Sequence, residues 1–107
     1  MKKYLIKGTY NAEGTMALIK EGGTKRKDAV DKMLAGLGGK VESFYYSSGD
    51  LDVYIITEFE DDINAAAVAL AVNAAGLVRI STTSLLSVKD IDAACKKTVN
   101  YRAPGQK

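Results

Sequence analysis

Hydrophobic and polar residues alternate along four segments of this chain, and alternation is typical of β-strands. The four segments are residues 4–10, 41–47, 51–59 and 77–84. A short loop, Ser47-Ser48-Gly49-Asp50, joins the second segment to the third, and helical spacing separates the other segments. The predicted order of elements is therefore strand, helix, strand, strand, helix, strand.

Two helices are predicted between the first and second strands. Asn11 is expected to cap a short helix, which Gly22-Gly23 interrupts. Thr24 is expected to cap a longer helix that ends at Gly38-Gly39. One face of the longer helix carries apolar residues at the i, i+3, i+4 and i+7 positions, namely Val30, Met33, Leu34 and Leu37.

The segment from residue 63 to residue 75 predicts a helix that is apolar on nearly all sides, because Asn64 and Asn73 are its only polar side chains. Such a helix needs cover on more than one side. A final helix, capped by Ser87, has one apolar stripe that we expect to supply the second cover: Val88, Ile91, Ala94 and Cys95. One domain is expected over residues 1–97, followed by an extended tail over residues 98–107.

This order of elements predicts an α+β, ferredoxin-like βαββαβ fold with an added C-terminal helix. In that fold both crossover helices cover one face of a four-stranded antiparallel sheet, and we call the other face the open face. A two-residue loop at Ser48-Gly49 or Gly49-Asp50 would pair residues whose numbers sum to an odd total, and such pairs share a face. Core residues of the hairpin are then Phe44, Tyr46, Leu51, Val53 and Ile55. The open face gathers Lys7, Tyr45, Asp52, Tyr54 and Arg79.

Composition narrows the class of protein. A length of 107 residues with 47% hydrophobic content suffices for one core, although so small a domain gains from burying more surface in an oligomer. Fifteen Lys and Arg against thirteen Asp and Glu leave a charge of +2, which disfavours nucleic acid as a partner. The apolar run after Met1-Lys2-Lys3 is broken at Lys7 and is too short for export, so a cytoplasmic protein without a membrane partner is expected.

The residue types needed for several kinds of site are absent. The chain has no histidine, which removes histidine triads and histidine-ligated metals, and its single cysteine cannot form an internal disulfide. No metal and no cofactor are predicted, and no catalytic residue is assigned. Cys95 lies beside Lys96-Lys97, but at a stripe position it is expected to be a buried small hydrophobe rather than a reactive thiol.

A weak candidate for an anion site lies at the start of the longer helix. Gly23, Thr24, Lys25 and Arg26 place free backbone amides and cations at a helix N-terminus, where an anion is favoured. The segment does not match the phosphate-loop pattern of the nucleotide-binding proteins. A solvated basic turn is the favoured explanation, because such turns are common on protein surfaces.

A further set of residues is spread along the whole chain: Tyr4 to Tyr10, Gly14, Lys25-Arg26, Leu37-Gly38, Tyr45-Tyr46, Gly49, Asp52-Val53, the alanine-rich helix, Gly76 to Arg79, and Thr82. Together these residues resemble the GYD domain proteins, small proteins with a ferredoxin-like fold of the dimeric α/β barrel type. The family signature is glycine, tyrosine and aspartate, and this chain has Leu51 where the tyrosine would stand. The resemblance implies the fold and a two-subunit barrel, and it implies no reaction.

Three classes of function are open. In the first, two open faces pack together in at least a homodimer and enclose a cavity for a small anionic aromatic ligand. Lys7 or Arg79 would hold the anion, Asp52 would orient Arg79, and Tyr45 and Tyr54 would supply hydroxyls. A structural ion pair between Asp52 and Arg79, with tyrosines that only pack, is the alternative explanation.

In the second class the chain is a non-catalytic assembly or sensor module whose open face is used entirely by oligomerisation. The third class is an RNA-recognition domain, and it ranks last. Residues 51–59 lack the basic start and the aromatic pairs of the base-stacking motif, and Asp52 would repel phosphate. A cavity between two sheets would distinguish the first class from the second.

Overall fold

The computed structural model describes residues 1–106, whose four strands form one antiparallel sheet. Along the chain the elements are β1 (Lys2–Tyr10), α1 (Ala12–Glu21), α2 (Gly23–Ala35), β2 (Lys40–Tyr46), β3 (Val53–Phe59), α3 (Asp62–Ala75), β4 (Val78–Leu85) and α4 (Val88–Cys95). Lys107, the last residue of the predicted tail, lies outside the described residues.

Strand β1 lies inside the sheet, where it pairs with β3 on one side and β4 on the other. The strand order is β2-β3-β1-β4. Antiparallel strands in this order, with the helices that connect them, are consistent with the ferredoxin-like fold and confirm the predicted α+β class.

The core lies between the sheet and two of the helices. Alternation along β1 and β3 puts Tyr4, Ile6, Val53, Ile55 and Phe59 on the same side of the sheet, where all are buried. Helix α2 contributes Val30 and Leu34 to this core, and α3 contributes Ala65 and Val68. Both helices bury side chains on one face of the sheet, and the open face is the opposite one.

The connection between β2 and β3 is longer than the predicted two-residue loop. The paired strands end at Tyr46 and Val53, and the backbone N–H of Ser47 donates to the carbonyl of Asp52 at 2.8 Å. The N–H of Asp52 donates to the carbonyl of Gly8, so that Asp52 ties the start of β3 to β1 as well as to the end of β2. The face assignments of residues 43–46 and 53–56 hold nevertheless, since Tyr45 opposes Tyr54 and the odd-sum pairing extends back to a bulge before Ser43. Tyr46 is 41% exposed and Leu51 lies outside both strands, so the prediction that these two residues belong to the core is wrong.

The predicted cap of α2 is wrong. Gly22, and not Thr24, stands at its N-cap, with φ +88, while the N–H of Gly22 also closes α1 by donating to Leu18 at 2.7 Å. Only glycine adopts that φ without strain, so the helix begins as soon as the chain leaves Gly22. Helix α2 ends at Ala35, before the predicted stop, and Leu37 therefore lies outside the helix and at the surface.

The expected packing of α4 on α3 of the same chain is also wrong. Every residue of α4 is exposed, as are Ile63 and Leu70 on the outer side of α3. Helix α4 and the residues after it extend away from the sheet, so that the longest dimension is 59 Å and the radius of gyration is 17.3 Å. A compact domain of this length has a radius of gyration of about 13 Å. No helix within residues 1–106 is long and apolar enough to cross a membrane.

Gly14 is required where α1 crosses the end of the sheet. A Cβ at Gly14 would overlap the carbonyl oxygen of Leu77, which also accepts the N–H of Asn11 at 3.1 Å. Alanine normally stabilises a helix relative to glycine by about 1 kcal/mol. At position 14, however, the alanine Cβ would clash with the backbone of Leu77, which cannot move aside as a flexible side chain could. We expect Gly14→Ala to lower the free energy of unfolding by about 1–3 kcal/mol in urea titrations.

Gly36→Ala is the matched control for Gly14→Ala. Gly36 has φ −62, and a Cβ there would meet its nearest heavy atom at 3.5 Å, an ordinary contact. Alanine at position 36 should leave the unfolding midpoint nearly unchanged. Equal midpoints for the two variants would contradict the proposed close approach of α1 to Leu77.

The hydrogen bond from the Tyr4 hydroxyl to the Asp62 carboxylate makes stability depend on pH. Burial first, and then the hydrogen bond to Asp62 and the charge of its carboxylate, together raise the pKa of Tyr4 to about 12. The same hydrogen bond, together with the charge of Lys2, lowers the pKa of Asp62. Because its pKa is lowered by folding, the ionised Asp62 carboxylate stabilises the fold at pH values above the ordinary aspartate pKa. This stabilisation is lost as the pH falls through the pKa that Asp62 has in the folded state. Because its pKa is raised by folding, the protonated Tyr4 hydroxyl stabilises the fold below about pH 10. This stabilisation is lost as the pH approaches 12.

Tyr4→Phe removes both contributions. We expect the difference in unfolding free energy between wild type and Tyr4→Phe to be largest near neutral pH. The difference should shrink below about pH 4 and again above about pH 10. Denaturant titrations across this range measure it, and a difference that does not change with pH would refute the role of the Tyr4–Asp62 pair.

Candidate functional site

The sheet register brings three of the predicted site residues into one row on the open face. Tyr45 opposes Tyr54, and Tyr54 opposes Lys7 on its other side. Arg79 opposes Thr9, which lies two residues beyond Lys7 on the same face. Lys7 and Tyr54 are half-buried by their neighbours, whereas Tyr45 and Arg79 are exposed. Four of the five predicted residues thus share one region of the open face.

Asp52 has a different role from the predicted one. Its carboxylate accepts the backbone N–H of Tyr10 at 2.8 Å, while its own N–H donates to Gly8 at 2.9 Å. Within residues 1–106 no hydrogen bond or ion pair joins Asp52 to Arg79. The expected orientation of Arg79 by Asp52 is therefore wrong, and Asp52 instead fixes the end of β1 against the start of β3.

Charges on the open face are unevenly balanced. At one end Lys3 lies 2.9 Å from Glu42 and 3.5 Å from Glu58, and Lys40 lies 3.4 Å from Glu58. At the other end, no carboxylate of residues 1–106 is at ion-pair distance from Lys7 or Arg79. The tyrosine-rich end of the open face consequently has an excess of positive charge.

A cleft that the sequence did not predict opens on the opposite side of the sheet, between α1, α2 and α3. Its volume is about 270 Å³. Most of its wall is apolar and comes from Ala17, Leu18, Met33, Val72, Leu77 and Val78. Polar groups come from Tyr10, Glu21 and Arg26. We call this space the helix-side cleft. A smaller cavity of about 40 Å³ shares Tyr10, Arg26 and Met33 with it and extends toward the core.

Tyr10 and Arg26 determine the electrostatics of the helix-side cleft. Burial raises the pKa of the Tyr10 hydroxyl, the Arg26 guanidinium partly opposes that rise, and the Asp52 and Glu21 carboxylates add to it. Tyr10 therefore stays protonated at neutral pH and acts as a hydrogen-bond donor rather than as a base. No carboxylate of residues 1–106 is at ion-pair distance from Arg26. The cleft thus combines an apolar wall with a cation and a hydroxyl donor.

The four residues of the weak anion site predicted at the start of α2 do not form one site in the structure. The carbonyl of Gly23 accepts the hydroxyl of Tyr46 at 3.0 Å, and Thr24 and Lys25 are exposed. Arg26 is half-buried and close enough to influence Tyr10 and Tyr46. Burial is the main reason why the pKa of Tyr46 is raised. Arg26 therefore belongs with the helix-side cleft and not with Thr24 and Lys25.

No local pattern of residues signals the helix-side cleft. Since Lys7 is predicted on the open face, alternation along the first strand implies that Tyr10 lies on the helix-covered face, but it does not reveal which residue of α2 lies beside Tyr10. That contact depends on the angle at which α2 leaves Gly22. The direction of the chain after Gly22 is set by tertiary packing, and no spacing of residue types in the sequence indicates it.

Two further observations concern reactive side chains. Cys95 is exposed, so the prediction of a buried small hydrophobe is wrong. In the part of the chain that the structure describes, no group of three or more His, Cys, Asp or Glu side chains is placed to hold a metal ion.

Comparison with known proteins identifies one family. The family model described as the GYD domain matches residues 4–95, which is most of the chain. No curated protein and no solved structure matches the chain.

Proposed function

The chain belongs to the GYD domain family, and from that premise we propose that it is a binding protein for a small organic anion with an aromatic body. The helix-side cleft is the observation that carries this proposal. It offers a mostly apolar wall and, at the same place, a guanidinium without a carboxylate partner in residues 1–106.

The dimensions of the cleft limit the ligand. Pockets for drug-sized molecules range from about 300 to 1,000 Å³, and this one has about 270 Å³, which suits a single ring with one or two substituents. Arg26 would bind a carboxylate or phenolate through charge-assisted hydrogen bonds, with Tyr10 as a second donor. Glu21 at the same cleft disfavours a second negative charge on the ligand. A singly charged aromatic acid fits these constraints best.

The open face is the second candidate place for the same class of ligand. Lys7 and Arg79 have no carboxylate partner among the described residues and lie near Tyr45 and Tyr54. A ligand there needs a second sheet to enclose it. This alternative therefore requires a homodimer formed through the open face, whereas the helix-side cleft exists within one chain.

Binding of benzoate distinguishes the two places. We expect calorimetry to show saturable binding to wild type, weakened about tenfold or more in Arg26→Gln, because a hydrogen bond to a charged group contributes about 1.5–3 kcal/mol. Arg79→Gln is the matched control and should bind as wild type does. Weakening by Arg79→Gln alone would move the site to the open face.

Benzamide tests the requirement for an anion, since it keeps the ring and loses the charge. It should bind wild type and Arg26→Gln about equally weakly. If neither benzoate nor a panel of substituted benzoates binds wild type, the small-molecule proposal is wrong. The non-catalytic assembly module then becomes the better account of this chain.

We also propose that the chain forms a homodimer through the open face. Leu5, Ile56 and Tyr54 lie only half-buried on this face and form an uncovered apolar area. Monomeric proteins seldom tolerate such an area. Tyr45 on the open face and Met16 on α1 are both 70% exposed, which makes them a matched pair for substitution.

Tyr45→Lys should lower the mass of the assembly in light scattering at micromolar concentration, because it places a charge inside an apolar contact. Met16→Lys, equally exposed but outside that contact, should leave the mass unchanged. A wild-type mass of one chain, or equal masses for the two variants, would argue against the open-face dimer.

A further inference from the structure

Helix α4 is an amphipathic helix without a partner in its own chain. Its apolar residues Val88 and Ile91 are 81% and 48% exposed, and Cys95 is exposed on the same stripe. Ser87 and Asp90 form a reciprocal capping box, which fixes where the helix begins. An isolated helix of eight residues is nonetheless marginal in water, because nucleation is unfavourable and few hydrogen bonds follow it. Helix α4 therefore needs a surface to pack on.

The outer side of α3 is a matching apolar surface without a partner. Its residues follow helical spacing and are all exposed: Ile63, Ala66, Ala67, Leu70 and Ala74. Ile63 and Leu70 are 77% and 73% exposed, and the alanines between them leave a shallow groove. Small residues allow a second helix to approach closely.

If α4 folded back onto α3 of its own chain, the two helices would run parallel, which is the unfavourable direction. Tyr4 pairs with Ser84 and also donates its hydroxyl to Asp62, so the end of β4 lies beside the start of α3. With only Leu86 and Ser87 between β4 and α4, a helix folding back would run parallel to α3. Asp90 would then lie among the carboxylates at the start of α3, and the two helix dipoles would be aligned unfavourably.

We propose that α4 of one chain packs antiparallel on the outer side of α3 of a second copy, and that the second copy reciprocates. The numbers of facing residues in this register sum to about 158. Val88 then lies on Leu70, Ile91 lies between Ala66 and Ala67, and Cys95 lies on Ile63. In this register Ile91 enters the space above the two alanines, while Val88 and Cys95 contact the two large side chains at the ends of the groove.

Charge complementarity specifies the direction of this contact. Lys96 and Lys97 follow the end of α4, and Glu60 and Asp61 precede α3. In the antiparallel arrangement the lysines of one copy lie beside the carboxylates of the other, whereas the parallel arrangement separates them. Antiparallel dipoles add to the preference. A reciprocal contact of this kind is two-fold symmetric and closes after two chains.

This contact lies on the opposite side of the sheet from the open face and does not depend on it. Where both contacts form, the closed assembly contains four chains. Failure of the open-face dimer leaves a two-chain assembly held by α4, and the two proposals are therefore separately testable.

Disulfide formation with the natural Cys95 tests the proposed register in the full-length chain. Ile63→Cys and Leu70→Cys are matched variants, both at exposed apolar positions of α3 and about 10.5 Å apart along the helix. After mild oxidation, we expect Ile63→Cys to give covalent pairs of chains, with Cys95 linked to position 63 of the other copy in peptide mass spectra. Leu70→Cys should give at least several-fold less of its corresponding link.

Two outcomes overturn the proposal. The first is a link between Cys95 and position 70 of the same chain, which would show that α4 folds back on its own α3. The second is the absence of any link between Cys95 and position 63 at a concentration where the protein is oligomeric. A product linked only through two Cys95 residues counts with the second outcome, because the register places these residues far apart.

Charge reversal provides a second measurement in the Ile63→Cys background. Lys97→Glu should reduce the yield of the link between Cys95 and position 63 severalfold by placing like charges together. Adding Glu60→Lys should restore the yield. Reduction without restoration would mean that Lys97 does not face Glu60, and the antiparallel register would be wrong. Circular dichroism of each variant checks that the domain remains folded.

Discussion

The pairing of β1 with strands on both of its sides is the constraint on which the other features depend. Leu5 opposes Ile56 in β3 and Thr83 in β4, so one strand fixes the register of the two halves of the sheet. Gly8 allows β3 and β4 to pair closely with β1 near its C-terminal end, since a Cβ at Gly8 would lie 2.9 Å from Val53 and 3.2 Å from Ile80. Once β1 is fixed, the helix-covered face and the open face of every other strand are determined.

The end of β1 also positions the helix-side cleft. Asp52 accepts the N–H of Tyr10, which holds the last residue of the strand in place where the sheet would otherwise fray. The Tyr10 ring is then directed between the helices, beside Arg26 of α2. A residue predicted to bind a ligand thus supports the backbone, and its hydrogen bond keeps the neighbouring tyrosine in the cleft. The same carboxylate contributes to the raised pKa of Tyr10.

Three places with apolar surface outside the core bear on assembly: the open face, the outer side of α3 and the stripe of α4. Burying such surface contributes about 25 cal/mol per Å², a favourable term that the single chain leaves unused in all three places. Ion pairs do not compensate, because each pair of the open face has at least one partner that is 45% exposed or more, and pairs at the surface contribute little. Unburied apolar surface is therefore a larger source of possible further stabilisation for this chain than its ion pairs are.

Local patterns in the sequence determined the strands, the helices and the face on which each strand residue lies. Alternation placed Lys7, Tyr45, Tyr54 and Arg79 on one face because neighbouring side chains of a strand point to opposite sides regardless of context. The cap at Asn11 and the capping box at Ser87 were likewise predictable, since each depends on residues within one turn. The ferredoxin-like order followed from the sequence of these elements.

Contacts between elements were decided only by the tertiary structure. Asp52 bonds Tyr10 instead of Arg79, Arg26 lies beside Tyr10, and α4 extends away from α3. Each of these depends on the direction in which the backbone leaves a junction, at Gly22, at the 47–52 loop or at Leu86. A pattern of residue types records which side of an element is apolar, but not which other element that side will meet. For the same reason the helix-side cleft, which three helices line together, had no signature in any one of them.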